Sequence, residues 1–473
     1  MDCPPEYPVA SSSTLTLPLN LPSYSPSGAS PDYVAEPSEG ERRLDFVARP
    51  HVTERPHGTF TKKIRKITVS LHDQEEGVDI PTYARNAIVR GQLQLDDAEN
   101  ILSVSVKLEG RQDVSSSEGG TSIRTIFSET HALWKRGDCA ACPSKLPFYI
   151  PFPSTYKDRS GSHAVPPSFS AEFRGTSSLV CKNTYSLVAV IKKPRLGSWK
   201  QHKTVILPMR YHPRSRPFLP IAPTLHPFFS SVKAAPDEWR QVCSIMESRD
   251  KSIPSIDCHL FIPAVQIYSV SDKISVHLQL RAPPRSLRAF LNPAVPSSQP
   301  KLSLSLRSTR SSTLSAKSWS TSSASSSSAH TRSPPMLLSA LPFSSPSRAT
   351  NPTVRVFLMR QISTNVNGQR AWRNNVIGEG ELWPLQHPSL DSEDCMHEDE
   401  QSALDWEGEV KCDEDVSIGG FVAGRIMVKD FIVIQLSPPN PKTSPLLEHQ
   451  HTHPIRLVTD PYLEAYDQPS NNY

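Results

Sequence analysis

A chain of 473 residues is long enough for two or three domains. Only 37% of it is apolar and 46 residues are proline, so part of it cannot bury enough surface to offset its ordering entropy, and folded blocks separated by disordered segments are expected. A net charge of +4 gives no pointer to nucleic acid, no run of eighteen apolar residues offers a membrane helix, and no basic start with an apolar stretch reads as a secretory signal.

The eight cysteines are scattered and no usable Asn-x-Ser/Thr acceptor is present, which favours a reducing, cytoplasmic setting. Residues 1–59 are rich in Pro, Ser and Thr without sustained period and read as a disordered arm. This arm carries Pro4, Pro5 and Tyr7 in CPPEY, and seventeen residues later Leu21, Pro22 and Tyr24 in LPSY.

From Lys62 apolar residues alternate with polar ones. IRKITVSLH, IVRGQLQLD and ILSVSVKLEG are half-buried strands by that period, YSLVAVIKK (Tyr185–Lys193) is a more continuous central strand, and Asp96-Asp97, Gly119-Gly120 and Gly161 mark turns. Residues 60–212 therefore predict an all-β sandwich. A stiff proline-dense linker is expected over 213–235, opening with HPRSRPFLP. A second β block follows over 236–462. Its strands are EWRQVCSIM, IDCHLFIPAVQIY as one strand, ISVHLQLRAP, TVRVFLMRQIS and GRIMVKDFIVIQLSPP, with a tail over 463–473.

About residues 286–350 this block is interrupted. From Lys301 to Thr350 there are 19 serines and no Asp or Glu, the composition of a disordered insertion. Ser308, Ser311, Ser333 and Ser345, beside arginine or proline, are either phosphorylation targets or parts of a plain linker.

Catalytic and metal motifs are missing from the sequence. There is no phosphate-cradling glycine loop, dinucleotide fingerprint or G-x-S-x-G elbow, so a catalyst and a cofactor are not expected. IGEGELW (Ile377–Trp383) reads as a turn. CAAC (Cys139–Cys142) lacks the second ligand pair of a zinc site, and thiols without a role are expected there. EHQHTHP would place His449, His451 and His453 on one side of an extended strand, but no further ligand completes a metal site, and an exposed polar turn is expected. DSEDCMHEDEQ (Asp391–Gln401) lacks the pattern of a calcium loop and reads as solvated. Lys62, Lys63, Arg65 and Lys66 in KKIRK open the first strand; they either meet phosphate on a partner tail or lipid headgroup, or protect a strand edge.

PTYARNAIVRGQLQLDDAENILSVSVKLEGR, LPFYIPFPSTY and VPPSFSAEFRGTSSLVCKNTYSLVAVIKK, in this order, resemble an arrestin N-terminal domain. IPAVQIYSVSDKISVHLQLRAP through DFIVIQLSPP is similar to the arrestin C-terminal domain, and SPLLEHQHTHPIRLVTDPY to the tail of α-arrestin-like chains. The resemblance implies an all-β fold of two immunoglobulin-like sandwiches in tandem. One departure is Asn86-Ala87, where the family has a glycine turn; Asn tolerates the left-handed conformation such a turn needs. The buried charge cluster of visual-type arrestins is not traceable residue by residue.

α-Arrestins carry Pro-Pro-x-Tyr motifs that bind the WW domains of HECT-type ubiquitin ligases. Pro4, Pro5 and Tyr7 match that motif, and Leu21, Pro22 and Tyr24 its Leu-Pro-x-Tyr variant. Adjacent prolines hold a polyproline II segment before binding, so less entropy is lost. By resemblance the chain is then a non-enzymatic adaptor joining the cytosolic tails of membrane transporters or receptors to the ligase, with peripheral membrane contact at plasma membrane or endosomes. The rival expectation is an arrestin-fold coat or sorting subunit that needs no ligase.

Overall fold

A computed structural model of the chain describes residues 41–44, 57–137, 141–158, 161–194, 202–221, 228–291, 353–385 and 401–463. The described residues are overwhelmingly strand, as the alternation predicts. In the first lobe a four-stranded sheet runs Gly58–Ile64, Ile67–Gln74, Ile88–Leu95, Lys145–Pro151, all antiparallel. Facing it is a sheet ordered Thr82–Tyr83, His202–Tyr211, Leu179–Lys192, Ser103–Ser116, Gly120–Lys135, with Phe169–Phe173 also on Leu179–Lys192. The YSLVAVIKK strand is central, as its continuous apolarity predicts. One core lies between the two sheets: Val69, Leu71, Val89 and Leu93 from the first meet Val106, Leu108, Leu187 and Leu207 from the second. The Asn86 turn holds φ at +55°, the left-handed conformation asparagine tolerates.

The second lobe is a ten-stranded sheet wrapped around its own core. One strand, Gln369–Pro384, makes the wrap. Up to Glu379 it pairs with Thr353–Val366; from Gly380 it pairs with Ser402–Val410. This corrects the turn expected at IGEGELW. The glycines serve close backbone approach where the strand crosses between half-sheets, not chain reversal. A Cβ on Gly378 would sit 2.0 Å from the Lys411 carbonyl oxygen, and one on Gly380 2.5 Å from that of Val356. Because the obstacle is backbone, Gly378→Ala is expected to lower stability by about 1–3 kcal/mol, read as a drop in thermal unfolding midpoint.

Other boundaries move as well. The arm expected over 1–59 contains a strand, Glu41–Leu44, paired antiparallel with Arg214–Pro217 inside the expected linker, and the first long strand begins at Gly58. Both pieces of the pair are short, and neither has the alternation that marks a longer strand. The linker also holds a helix, α1 (Phe228–Ala234). IDCHLFIPAVQIY is two strands, Ile256–Pro263 and Ile267–Ser269, broken by a turn with Gln266 at φ +51°. The beginning of the insertion expected over about 286–350 is helical, since α2 spans Pro284–Leu291, and the rest of that range lies outside the described residues. Proline suits the first turn of α2, and Leu287 and Phe290, one turn apart, are fully buried. Finally EHQHTHP is not a turn: His449–Val458 is a strand paired with Ile426–Ser437.

The lobes meet through an apolar seam of Val114, Leu179 and Cys181 against Ile362, Val366, Ile426 and Val428. Beside it Gln112 Nε2 donates to Asn183 Oδ1 (3.1 Å) and across the junction to the Ala423 carbonyl (3.0 Å), while Gln112 Oε1 accepts from Arg425 N (3.3 Å). The hairpin tip at Asn367 donates to the Gly119 carbonyl of the opposing hairpin at 3.0 Å.

Candidate functional site

Pro4, Pro5, Tyr7, Leu21, Pro22 and Tyr24 lie outside the described residues, as do Ser308, Ser311, Ser333 and Ser345. So do Cys139 and nearly all of the acidic stretch from Asp391. Cys142 is partly buried against the rim of the first core, and burial pushes its thiol up.

The KKIRK cations are described. They do not open a strand; Lys62 and Lys63 are near the end of Gly58–Ile64, and Arg65-Lys66 is the hairpin turn that follows, with Arg65 at φ +58°. Gly58–Ile64 is an edge of its sheet, the position where lysines discourage pairing with a further strand. Lys63 Nζ is 2.9 Å from Asp96, and Lys66 Nζ is 3.8 Å from Asp97. Asp97 is held below the usual carboxylate range chiefly by the hydrogen bond from Lys193, 3.2 Å away. Asp96 and Asp97, which the sequence marked only as a turn, thus offset part of the cluster's charge.

A second gathering of polar groups was not legible in the sequence. A cleft of about 520 Å³ opens where the lobes and the linker meet. The first lobe lends it Arg85, Asp158 and His163, the linker Arg214, and the second lobe Phe421 and Arg456. Asp158 is clamped by Arg124 Nη1 (3.1 Å) and by His163 Nε2 (2.9 Å).

At the far wall Arg214 Nε donates to both oxygens of Asp460 (3.0 and 3.1 Å), and Ser215 N donates to Thr459 Oγ1 (2.8 Å). Burial pushes the Asp460 carboxyl up, but the bonds from Arg214 and Thr459 outweigh it and hold the group below its ordinary value. Burial lowers His212 next to it, an effect that Asp460 partly opposes. The linker strand is therefore riveted to the end of His449–Val458, and Glu41–Leu44 pairs with that same strand. The arm thus reaches the folded body at the junction of the two lobes.

His449, His451 and His453 do share one side of their strand, as the spacing predicts. They face inward, toward Trp239–Met246. His449 Nε2 bonds Ser244 Oγ at 2.9 Å and His453 Nε2 bonds Gln266 Oε1 at 3.0 Å. Among the described residues no group of three or more His, Cys, Asp or Glu is placed to hold a metal ion, and no helix is long and apolar enough to cross a membrane. Neither a family model nor a curated protein matches the chain.

Proposed function

We propose that this chain is a non-enzymatic, arrestin-like adaptor: two tandem immunoglobulin-like β-sandwiches that bind the cytosolic tail of a membrane transporter or receptor, with an N-terminal arm that recruits a HECT-type ubiquitin ligase. The observation that carries the reading is the sequence Pro4-Pro5-Glu6-Tyr7 ahead of an almost wholly β body in which two sandwich-like lobes follow one another. The ordered run of motifs that resembles the arrestin family supports the architecture. The pairing of Glu41–Leu44 with the linker strand supports the arrangement, since a ligase held by the arm would be tethered near the lobe junction. Cargo ubiquitination and internalisation, at the plasma membrane or endosomes, follow from bringing ligase and tail together; the adaptor itself needs no cofactor. The surface cations Lys62 and Arg65 suit a phosphate-bearing tail or headgroup.

Two copies of the tyrosine motif on one arm engage tandem WW domains with a gain from effective concentration. Tyr7→Ala or Tyr24→Ala alone is expected to weaken capture by a tandem WW array by about tenfold or more. The double variant is expected to abolish it with the unfolding midpoint unchanged. Undiminished capture by the double variant sinks the ligase link. Trafficking that is indifferent to removal of residues 1–38 would favour a sorting subunit that acts without a ligase.

A further inference from the structure

α1 lies on the outer face of the second lobe, and of its seven residues only Phe228 is buried. A helix this short does not hold itself together in water. Its place on the sheet therefore depends on what that one ring finds there.

It finds an aromatic pocket. The Phe228 ring stacks on the His277 imidazole, with centroids 3.7 Å apart and planes within 6°. Trp239 closes one side edge-on at 5.0 Å, and Phe261, tilted by 58°, closes another at 4.9 Å. The Phe228 backbone N–H donates to Glu407 Oε1 at 3.2 Å, and the Trp239 indole N–H donates to Ser231 Oγ at 3.0 Å. The pocket floor is rigid: Phe261, His277 and Glu407 are cross-strand partners on three adjacent strands, and His277 Nε2 donates to Asp405 Oδ1 at 2.9 Å. His277 is fully buried, and its Nδ1 has no hydrogen-bond partner among the described residues. At the rim Trp383, opposite Glu407 on the next strand, is about half exposed at 46%. The aromatic surface thus extends past what α1 covers.

We propose that this pocket is a docking site for a partner peptide that presents one aromatic side chain with a free backbone N–H, and that α1 is its internal occupant. The seated segment states the chemistry the site accepts: a flat ring for the imidazole, for Trp239 edge-on and for the tilted Phe261, and one donor for Glu407. A seven-residue helix fastened by one buried ring, the edge contact of Phe229 with His277 at 5.2 Å and two hydrogen bonds has few contacts to break and is exchanged more readily than the pocket walls, which belong to strands and stay formed. A partner gains the same stack and can add contacts to Trp383. This inference is independent of the adaptor reading, since it needs neither arm nor ligase.

The test uses the full chain and a peptide of residues 226–236 as probe, followed by the fluorescence of the pocket tryptophans and by calorimetry. Phe228→Ala empties the pocket and is expected to bind the peptide at least tenfold more tightly than the unaltered chain does. Peptides with Trp or Tyr in place of the anchor should bind comparably, and a Leu anchor at least tenfold more weakly. Phe228→Leu, which keeps apolar volume but cannot stack, serves if the alanine variant does not fold, and is expected to show the same preference. Equal binding by the unaltered chain and the variants, no binding by a folded variant, or no preference of aromatic over Leu anchors would overturn the proposal.

Discussion

Arg360→Ala is expected to lower the unfolding free energy by about 3–5 kcal/mol, and Asp430→Ala by a similar amount. The two residues face each other across neighbouring strands, Arg360 between the apolar Leu358 and Ile362, Asp430 between Val428 and Ile432. The Arg360 side chain is 7% exposed and that of Asp430 is 0% exposed. Nε donates to Oδ1 at 2.7 Å, Nη2 to Oδ2 at 3.2 Å, and Nη2 also to the Ile418 carbonyl at 2.8 Å. Taking two charges out of water is costly, and the pair is tolerated because bidentate geometry and the carbonyl satisfy it. Removing one partner leaves the other charge buried and uncompensated.

Arg360→Met combined with Asp430→Leu removes both charges at similar volume, and is expected to restore most of the loss. Urea midpoints of the two single variants and the double variant form the measuring cycle. Single losses below about 1 kcal/mol would mean that water reaches the pair. Ile418 begins the segment that lines the inter-lobe cleft, where a Cβ on Gly419 would lie 1.7 Å from the Leu457 carbonyl oxygen. The single variants are therefore expected to loosen the cleft wall as well as the core.

This pair was half visible in the sequence. Period two sets Arg360 on one side with Val356, Leu358 and Ile362, and Asp430 with Val428, Ile432 and Ile434, but the other side of each run is apolar as well, so the alternation alone does not say which side faces the core. Matching the two runs as neighbours needed the register, which no local pattern contains. The same division holds elsewhere. Ser103–Ser116 alternates over its whole length, so strand and inward face could be read together.

Where function or geometry overrode local preference, reading failed. Gly378 and Gly380 carry turn punctuation but serve a crossing strand. The three histidines look like surface but sit in a seam. Glu41–Leu44 and Arg214–Pro217 become strands only because they meet. The cleft was illegible for a related reason: Arg85, Asp158, Arg214 and Arg456 come from separate stretches that only the sandwich packing brings together. The phenylalanine pair beginning α1 was visible as letters, but its partner ring, His277, lies on a strand whose alternation alone gave no hint of stacking.

Acidification from pH 6.5 to about pH 4 is expected to destabilise the second lobe through its histidine row. Burial, the largest influence, holds His449 and His453 down to about 4, and it lowers His451 too. His451 depresses both neighbours further, and Arg240 on the facing strand depresses His453. The unfolded chain binds protons near pH 6.5, where the folded chain does not. The stabilisation is therefore complete above pH 6.5 and is lost as pH falls through the interval down to the folded values. Each ring contributes at most about 1.4 kcal/mol per pH unit, less a discount for the part of it that water reaches.

The depressed His212 and His259 add to the same limb. The Asp460 carboxyl, lowered by Arg214, loses its contribution only below its unfolded value of 3.8, so its loss falls beneath this window. Asp272, raised by burial, works the other way and gains on protonation. Thermal midpoints at pH 7.5, 6.5, 5.5 and 4.5 should fall steeply over the last three. His453→Gln with His449→Asn keeps polar groups for Gln266 and Ser244 but removes two of the titrations. That variant should show a distinctly shallower fall below pH 6.5, and an unchanged slope would place the acid sensitivity outside the seam between His449–Val458 and Trp239–Met246.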